Sequence, residues 1–265
     1  TADGRRFALR VNTMPLKTPE HLLAQVSWLA AVSEETGLRV PTPQPTLEGR
    51  WSATVPSPGH GRDLPLVLFS WLEGPNIGSR WTLTQARTVG AAMATLHDHA
   101  ERWTMPPGAR LTLFDNVLTD LPNRFGDHPA LNDEAREVLG AAYERAQAFQ
   151  DAAFEAGPVI ALHADLHGGN LKWHQGRLSI FDFDDAGLGV PALDLAIAAY
   201  YLRDRDDLED ALRAGYSTVR TLPQVTPPPR SAMHAAFEST PFESRQGAIH
   251  QGLPPAAPSR DPLTD

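Results

Sequence analysis

The chain reads as an α+β protein: a small antiparallel sheet carrying one helix, followed by a larger, mainly helical part. Three observations predict this. Up to Gly74, strand-like runs surround a single helical run. Beyond it, apolar residues recur at helical spacing through most of the chain. Between His163 and Asp182 the helical pattern breaks for a loop and a short hairpin.

The elements follow in order. Arg6 to Val11 alternates as a strand does. Thr18-Pro19-Glu20 opens a helix, with Thr as N-cap and Pro at the first helical position. Leu22, Val26, Leu29 and Ala30 mark its inner stripe, and Gly37 its stop. Val40 to Pro43 is extended. Strands follow over Trp51–Val55 and Leu64–Ser70, separated by Pro56, Pro58, Gly59 and Gly61. Val89, Met93, Leu96 and Ala100 then line a long helix from Thr84 to Trp103. Asn132 caps another, with Val138, Leu139, Ala142, Ala146 and Phe149 expected inside. Val159 to Leu162 is a short apolar run. Pro191 starts a helix through Leu193, Ile197 and Tyr200, and Leu208 to Tyr216 forms one more.

Past Thr221 the composition changes. Leu222 to Asp265 holds 9 prolines in 44 residues, several times the usual ~5 %, which excludes helix interiors and central strands. The division expected is therefore a partial small lobe with its connection over 1–74, a helical lobe carrying the catalytic loop over 75–221, and a poorly ordered proline-rich tail over 222–265. The first strand begins within a few residues of Thr1, so the start of the fold is expected to lie outside this chain.

Composition narrows the function classes. Lys plus Arg is 23 against 32 Asp plus Glu, a net charge of −9, which speaks against nucleic acid and anionic membrane surfaces as main partners. No run approaches the ~18 apolar residues of a membrane span. With no cysteine there is no disulfide framework, thiolate zinc site or cysteine nucleophile, and a cytoplasmic home fits.

The chemistry concentrates in His163-Ala164-Asp165-Leu166-His167-Gly168-Gly169-Asn170, Leu171 to Gly176, and Arg177 to Asp182. Gln175-Gly176 is a turn flanked by strand-like runs, so the second half reads as a β-hairpin. Pairing across it brings Asn170 and Asp182 to one mouth, where an amide oxygen and a carboxylate can share a hard cation such as Mg2+. Asp165 precedes the hairpin on a glycine-bearing loop that reaches the same mouth. A carboxylate base beside an oxygen metal clamp is what phosphoryl transfer needs. The Asp-to-Asn spacing also equals that of the protein-kinase catalytic loop, although Ala164 replaces the arginine found there.

On these residues the chain resembles the aminoglycoside phosphotransferase, choline kinase and type II homoserine kinase superfamily. The resemblance is carried by His163-x-Asp165-x-x-x-x-Asn170, Phe181 to Gly187 and Pro191 to Ala196. Upstream it extends through Phe7 to Val11, Gln25 to Leu29, Leu68 to Gly74 and Leu96 to Ala100. It implies a bilobal, protein-kinase-like fold whose first strands this chain lacks, and transfer of the γ-phosphoryl of ATP or GTP to the hydroxyl of a small molecule with Mg2+ as cofactor. By the same resemblance Asp165 is the catalytic base, Asn170 a magnesium ligand and Asp182 the principal one. His163 braces the loop, and Asp194 holds its backbone. Arg10 contacts phosphate, and Ser70, Trp71, Leu72 and Glu73 form the hinge that meets the adenine edge. Three departures stand out. Gln25 takes the place of the family's usual Glu, no glycine-rich loop precedes Arg10, and the proline-rich tail replaces further helices.

Two other classes compete. The departures suit a non-catalytic pseudokinase or degenerate fragment. His163, Asp165 and His167 would alternatively suit a zinc-dependent hydrolase, a reading that leaves Asn170 and Asp182 without a role. His97 and His99 read as surface and packing residues of their helix, and Trp28 as core. The acceptor and the oligomeric state are not encoded in any of these motifs.

Overall fold

Alternation over β1 (Phe7–Val11) lays it antiparallel on β4 (Arg62–Ser70), with Phe7 opposite Ser70 and Val11 opposite Leu66. The computed structural model describes residues 4–13, 18–119 and 121–224. On the other edge of β4 lie β3 (Ala53–Ser57) and the two-residue β2 (Pro43–Gln44), both antiparallel. Between β1 and β2 runs α1 (Pro19–Glu35), whose Thr18 side chain accepts the His21 N–H. Leu22, Val26 and Leu29 are buried as the spacing requires, and Trp28 is fully enclosed. The segment up to Ser70 is thus the small antiparallel sheet with one helix that the sequence predicts. β3 lies two residues later than expected and β4 starts two residues earlier, because the turn closes tightly over Pro58–His60 with Gly61 in the left-handed region.

The rest is largely helical. α2 (Leu83–Arg102) begins with a full capping box between Thr82 and Gln85. It crosses α5 (Asp206–Tyr216) with the backbones almost touching. A Cβ at Gly90 would stand 1.9 Å from the Leu212 carbonyl oxygen, and one at Gly215 1.9 Å from that of Arg87. Only glycine permits that approach. α3 (Asp133–Ala156) is capped by Asn132 as expected, but its inner face is not the expected one. Val138 and Leu139 are 36 % and 37 % exposed, Ala146 is exposed, and only Gln150 and Ala153 are buried. α4 (Pro191–Tyr201) begins at Pro191 as expected, with Ala192, Asp194, Leu195 and Ala198 buried and Tyr200 half exposed.

The hairpin is formed by β7 (Leu171–His174) and β8 (Arg177–Ile180), turning at Gln175-Gly176 as predicted. A second sheet was not legible in the sequence. β5 (Thr112–Leu113) runs parallel to β9 (Gly187–Gly189), which pairs antiparallel with β6 (Ile160–Leu162). These strands are two or three residues long, too short for a periodicity signal. One continuous core joins α1, β4, α2, β6, the hairpin and α5. Of the proline-rich tail expected over 222–265, residues 225 onward lie outside the described residues.

Candidate active site

The loop from His163 to Asn170 is held from beneath by one buried acid. Asp194, on the first turn of α4, has no exposed surface. Its Oδ1 accepts the Ala164 N–H at 2.7 Å and its Oδ2 the His163 N–H at 3.2 Å. His97, buried on α2, places Nε2 3.1 Å from Oδ2, while its Nδ1 lies 2.9 Å from the buried Tyr216 hydroxyl on α5. Burial works to raise the Asp194 pKa, but the hydrogen bond from His97 and the Ala164 N–H outweigh it and hold the carboxyl below its ordinary range. His97 and Tyr216 therefore belong to the support of the loop from His163 to Asn170. The expectation that His97 is a surface or simple packing residue is corrected here. Its i, i+4 relation to the helix interior signals burial, but nothing local to α2 signals the acid it meets.

Asp194 also offsets a strained backbone. Ala164 has φ +62°, a left-handed conformation that costs an L-residue about 1–2 kcal/mol. The bend turns Asp165 out of the core. Asp165 N–H donates to His163 Nδ1 at 3.2 Å, which leaves the His163 proton on Nε2, 3.1 Å from the Phe181 carbonyl oxygen. Enclosure lowers the His163 pKa against the opposing pull of Asp194, so the ring is neutral, as this hydrogen-bond pattern demands. Phe183 stacks on it at 4.4 Å and meets Trp28 edge-on at 5.5 Å. The small sheet's helix is thereby keyed to the loop. His99 accepts the Trp28 indole N–H on the far side.

The hairpin brings the remaining groups together. Its register sets Leu171 opposite Ile180, and the Phe181 N–H donates to the Asn170 carbonyl at 3.0 Å. Asn170 and Asp182 accordingly flank one mouth. Asn170 Nδ2 donates to both the Asp165 carbonyl, at 3.0 Å, and Asp165 Oδ2, at 2.7 Å. Its Oδ1 is the amide atom that Asp165 does not engage. Asp182 has φ +63°, which swings its carboxylate out of line with β8. Burial raises its pKa, and the negative charge of Asp184 adds to the rise. An amide oxygen and a carboxylate crowded by a second acid form an oxygen-only donor set with surplus negative charge, and that set fits a hard divalent cation. Among the described residues, no group of three or more His, Asp or Glu side chains is arranged to hold a metal. In the zinc-hydrolase reading of His163, Asp165 and His167, His163 has both ring nitrogens engaged, Nδ1 by the Asp165 N–H and Nε2 by the Phe181 carbonyl.

Arg10, on β1, reaches over this mouth. Its guanidinium pairs with Asp184 and donates to Gln25 Oε1 at 2.6 Å, and Gln25 Nε2 in turn donates to Asp184 Oδ1 at 3.2 Å. Of the four residues of the expected hinge, Ser70 ends β4 and Trp71, Leu72 and Glu73 follow it. Ser70 Oγ accepts the Thr42 N–H at 2.9 Å, Arg6 lies over Trp71, and Glu73 pairs with Arg6. Trp71 to Glu73 lie outside any strand. The chain is then stitched to the catalytic loop: Ile77 N–H donates to the Leu171 carbonyl, Gly78 N–H to that of Gly168, and Asn76 Nδ2 to that of Gly169.

A sequence model described as the phosphotransferase enzyme family (APH) matches residues 1–228. An uncharacterized protein of Deinococcus radiodurans is 33 % identical over 199 residues, 73 % of this chain and 55 % of its own length. The amicoumacin kinase of Bacillus subtilis is 25 % identical over 209 residues, 75 % of this chain and 57 % of its own. The chain thus spans little more than half the length of the curated relatives it matches. Among solved structures, a microcompartment-associated aminopropanol kinase superposes with a TM-score of 0.70 at 26 % identity, covering 93 % of this chain and 82 % of that one. An amicoumacin kinase solved with AMP-PNP, Ca2+ and Ami also gives 0.70, at 19 % identity, covering 83 % and 68 %. The latter speaks for the fold, which is protein-kinase-like.

Proposed function

Because the chain belongs to the phosphotransferase enzyme family, we propose that it is a small-molecule kinase that moves the γ-phosphoryl of ATP, or of GTP, to the hydroxyl of a small acceptor. The observation that supports this reading is the Asn170 Nδ2 bond to Asp165 Oδ2, beside a hairpin whose register pairs Asn170 with Phe181, the residue before Asp182. Relatives that phosphorylate aminopropanol and amicoumacin, by their names, support a hydroxyl-bearing amine as the first acceptor class to try. Such an enzyme works where ATP is abundant, which agrees with a cytoplasmic home. Among the described residues no helix is long and apolar enough to cross a membrane.

Each residue has a definite task in this reading. Asp165 accepts the proton of the acceptor hydroxyl as its oxygen attacks the γ-phosphorus. The new O–P bond forms, the bond to the β–γ bridging oxygen breaks, and the nucleoside diphosphate leaves. Asn170 Oδ1 and Asp182 would hold Mg2+, which supplies neutralisation of phosphate charge. Arg10, held by Gln25 and Asp184, offers its charge to the phosphates, while Trp71 to Glu73 offer backbone groups to the base. Asp194 and His163 keep the loop in shape. In this division, residues 1–74 hold the nucleotide from above and 75–221 carry the chemistry.

A thermal shift with ATP and Mg2+ tests the reading. Nucleotide at ~100 times its Kd stabilises a binding fold by about 2.7 kcal/mol, or roughly 5–11 °C for a chain of this size. The expected result is a magnesium-dependent shift that Asp182→Ala abolishes. A cooperatively melting chain that shows no shift would support the competing reading, a non-catalytic member of the family.

A further inference from the structure

One side chain beside the base has no part in the scheme above. His167 lies two residues beyond Asp165, with its Nε2 3.4 Å from Asp165 Oδ2. Its other nitrogen is committed, because Nδ1 accepts the Gly169 N–H at 3.0 Å. A neutral ring whose Nδ1 accepts must carry its proton on Nε2, the nitrogen that faces the base. The ring plane is also set. Tyr201, at the end of α4, stacks on it at 4.7 Å and 30°, and Tyr200 meets Tyr201 edge-on at 5.6 Å. On the other side a Cβ at Gly169 would stand 2.4 Å from the ring, so glycine is what lets the imidazole fold back over the loop.

The consequence falls on the two oxygens of Asp165. Oδ2 already receives Asn170 Nδ2 at 2.7 Å, and His167 Nε2 lies 3.4 Å from the same oxygen, within ion-pair distance but not yet in hydrogen-bond alignment. No hydrogen bond engages Oδ1 among the described residues. Resting hydrogen bonds around a base are often long and tighten when substrate closes the site.

We propose that His167 is a positioning residue: held by Gly169 and Tyr201, it donates its Nε2 proton to Asp165 Oδ2 and so leaves Oδ1 as the atom that takes the acceptor's proton. The inference rests on the kinase reading above and deepens it. With both donors in place, the carboxylate is fixed against rotation about its last bond, and the free oxygen points to the mouth shared by Asn170 and Asp182. Without the imidazole, the carboxylate keeps one anchor and can turn, which misplaces the base by a fraction of its own width.

Two substitutions separate this role from simple loop capping. Asn places an acceptor near Nδ1, so His167→Asn keeps the Gly169 bond and loses the donor to Asp165. Gln places a donor near Nε2, so His167→Gln keeps the donor and loses the cap. Phosphoryl transfer is to be followed with ATP, Mg2+ and aminopropanol as probe acceptor, alongside ATP turnover to water. The expected result is a kcat lowered about 10- to 100-fold in His167→Asn, the loss typical of a misplaced reacting group, with the acceptor KM, the Tm and the MgATP thermal shift unchanged, and substantial recovery of kcat in His167→Gln. Nitrogen-15 NMR of the ring, assigned by its disappearance in His167→Gln, is expected to show the proton on Nε2. A wild-type kcat in His167→Asn, no recovery in His167→Gln, or a proton on Nδ1 would overturn the positioning role while leaving the kinase reading intact. A wild-type protein that turns over no ATP with either acceptor would overturn both.

Discussion

Asp194 carries more of the site than any residue that would touch substrate. It neutralises two backbone N–H groups and His97 in a region without solvent, so Asp194→Ala leaves three donors unpaired. The expected loss is about 3–5 kcal/mol in urea denaturation, the range for breaking a buried charged pair, with Asp194→Asn milder because one oxygen remains. Asp182 is expected to act the other way. Its raised pKa means that its charge is unwelcome in the nucleotide-free fold, so Asp182→Asn, which tolerates a left-handed backbone, should raise the Tm by about 1–2 °C while weakening the MgATP shift. The neutral, buried His163 gives a pH dependence whose sign is fixed. Its folded pKa is depressed by burial, so the unfolded chain takes up a proton first. Stability is full above about pH 6.5 and falls as pH drops below it. His163→Gln should flatten that slope in Tm measured against pH, leaving the part contributed by His99, which burial also depresses. At this scale the loop and hairpin spacing led to Asp165, Asn170 and Asp182, whereas Asp194 was expected only through the family resemblance. The sequence did not show His97 or Tyr216, which lie far from Asp194 in sequence and meet it only once α2 and α5 have crossed.

At the scale of elements, close backbone approaches position the site. The α2–α5 crossing depends on Gly90 and Gly215, and Gly90→Ala drives a methyl into the Leu212 carbonyl. The expected cost is about 1–3 kcal/mol or more, as for overpacking in a core, read as a lowered denaturation midpoint with disturbed His97 packing. Gly168 has the same role where the catalytic loop meets the connecting segment, since a Cβ there would stand 1.8 Å from the Gly78 carbonyl oxygen. The long helices and the hairpin were legible because several turns of period, or a Gln-Gly turn between two strands, repeat one signal. The three-stranded sheet of β5, β9 and β6 was not, because such short strands exist only through their partners. The inner face of α3 was misread for a related reason. Periodicity tells which residues share a face, but α3 carries apolar residues on a face that the described residues leave exposed.

Over the whole molecule, three of the contacts that join the two parts end at the candidate site. Arg10 spans from β1 to Asp184, Trp28 from α1 to Phe183, and the segment 76–78 from the connection to the loop. The Trp28–Phe183 contact is buried, and a nucleotide between the parts would lie against the other two, so closure, metal binding and the orientation of the base are expected to be coupled. The central claim is that Asp165 removes a proton from an acceptor while the phosphoryl group is transferred. It is tested most directly by following label from γ-labelled ATP into a panel of hydroxyl-bearing amines, with wild type and Asp165→Asn compared in Mg2+. The expected result is labelled product from the wild type and a loss of about 100-fold or more in the variant, the contribution of a positioned base, with the MgATP thermal shift retained. Equal transfer by the two proteins, or no transfer by a wild type that binds MgATP, would contradict it.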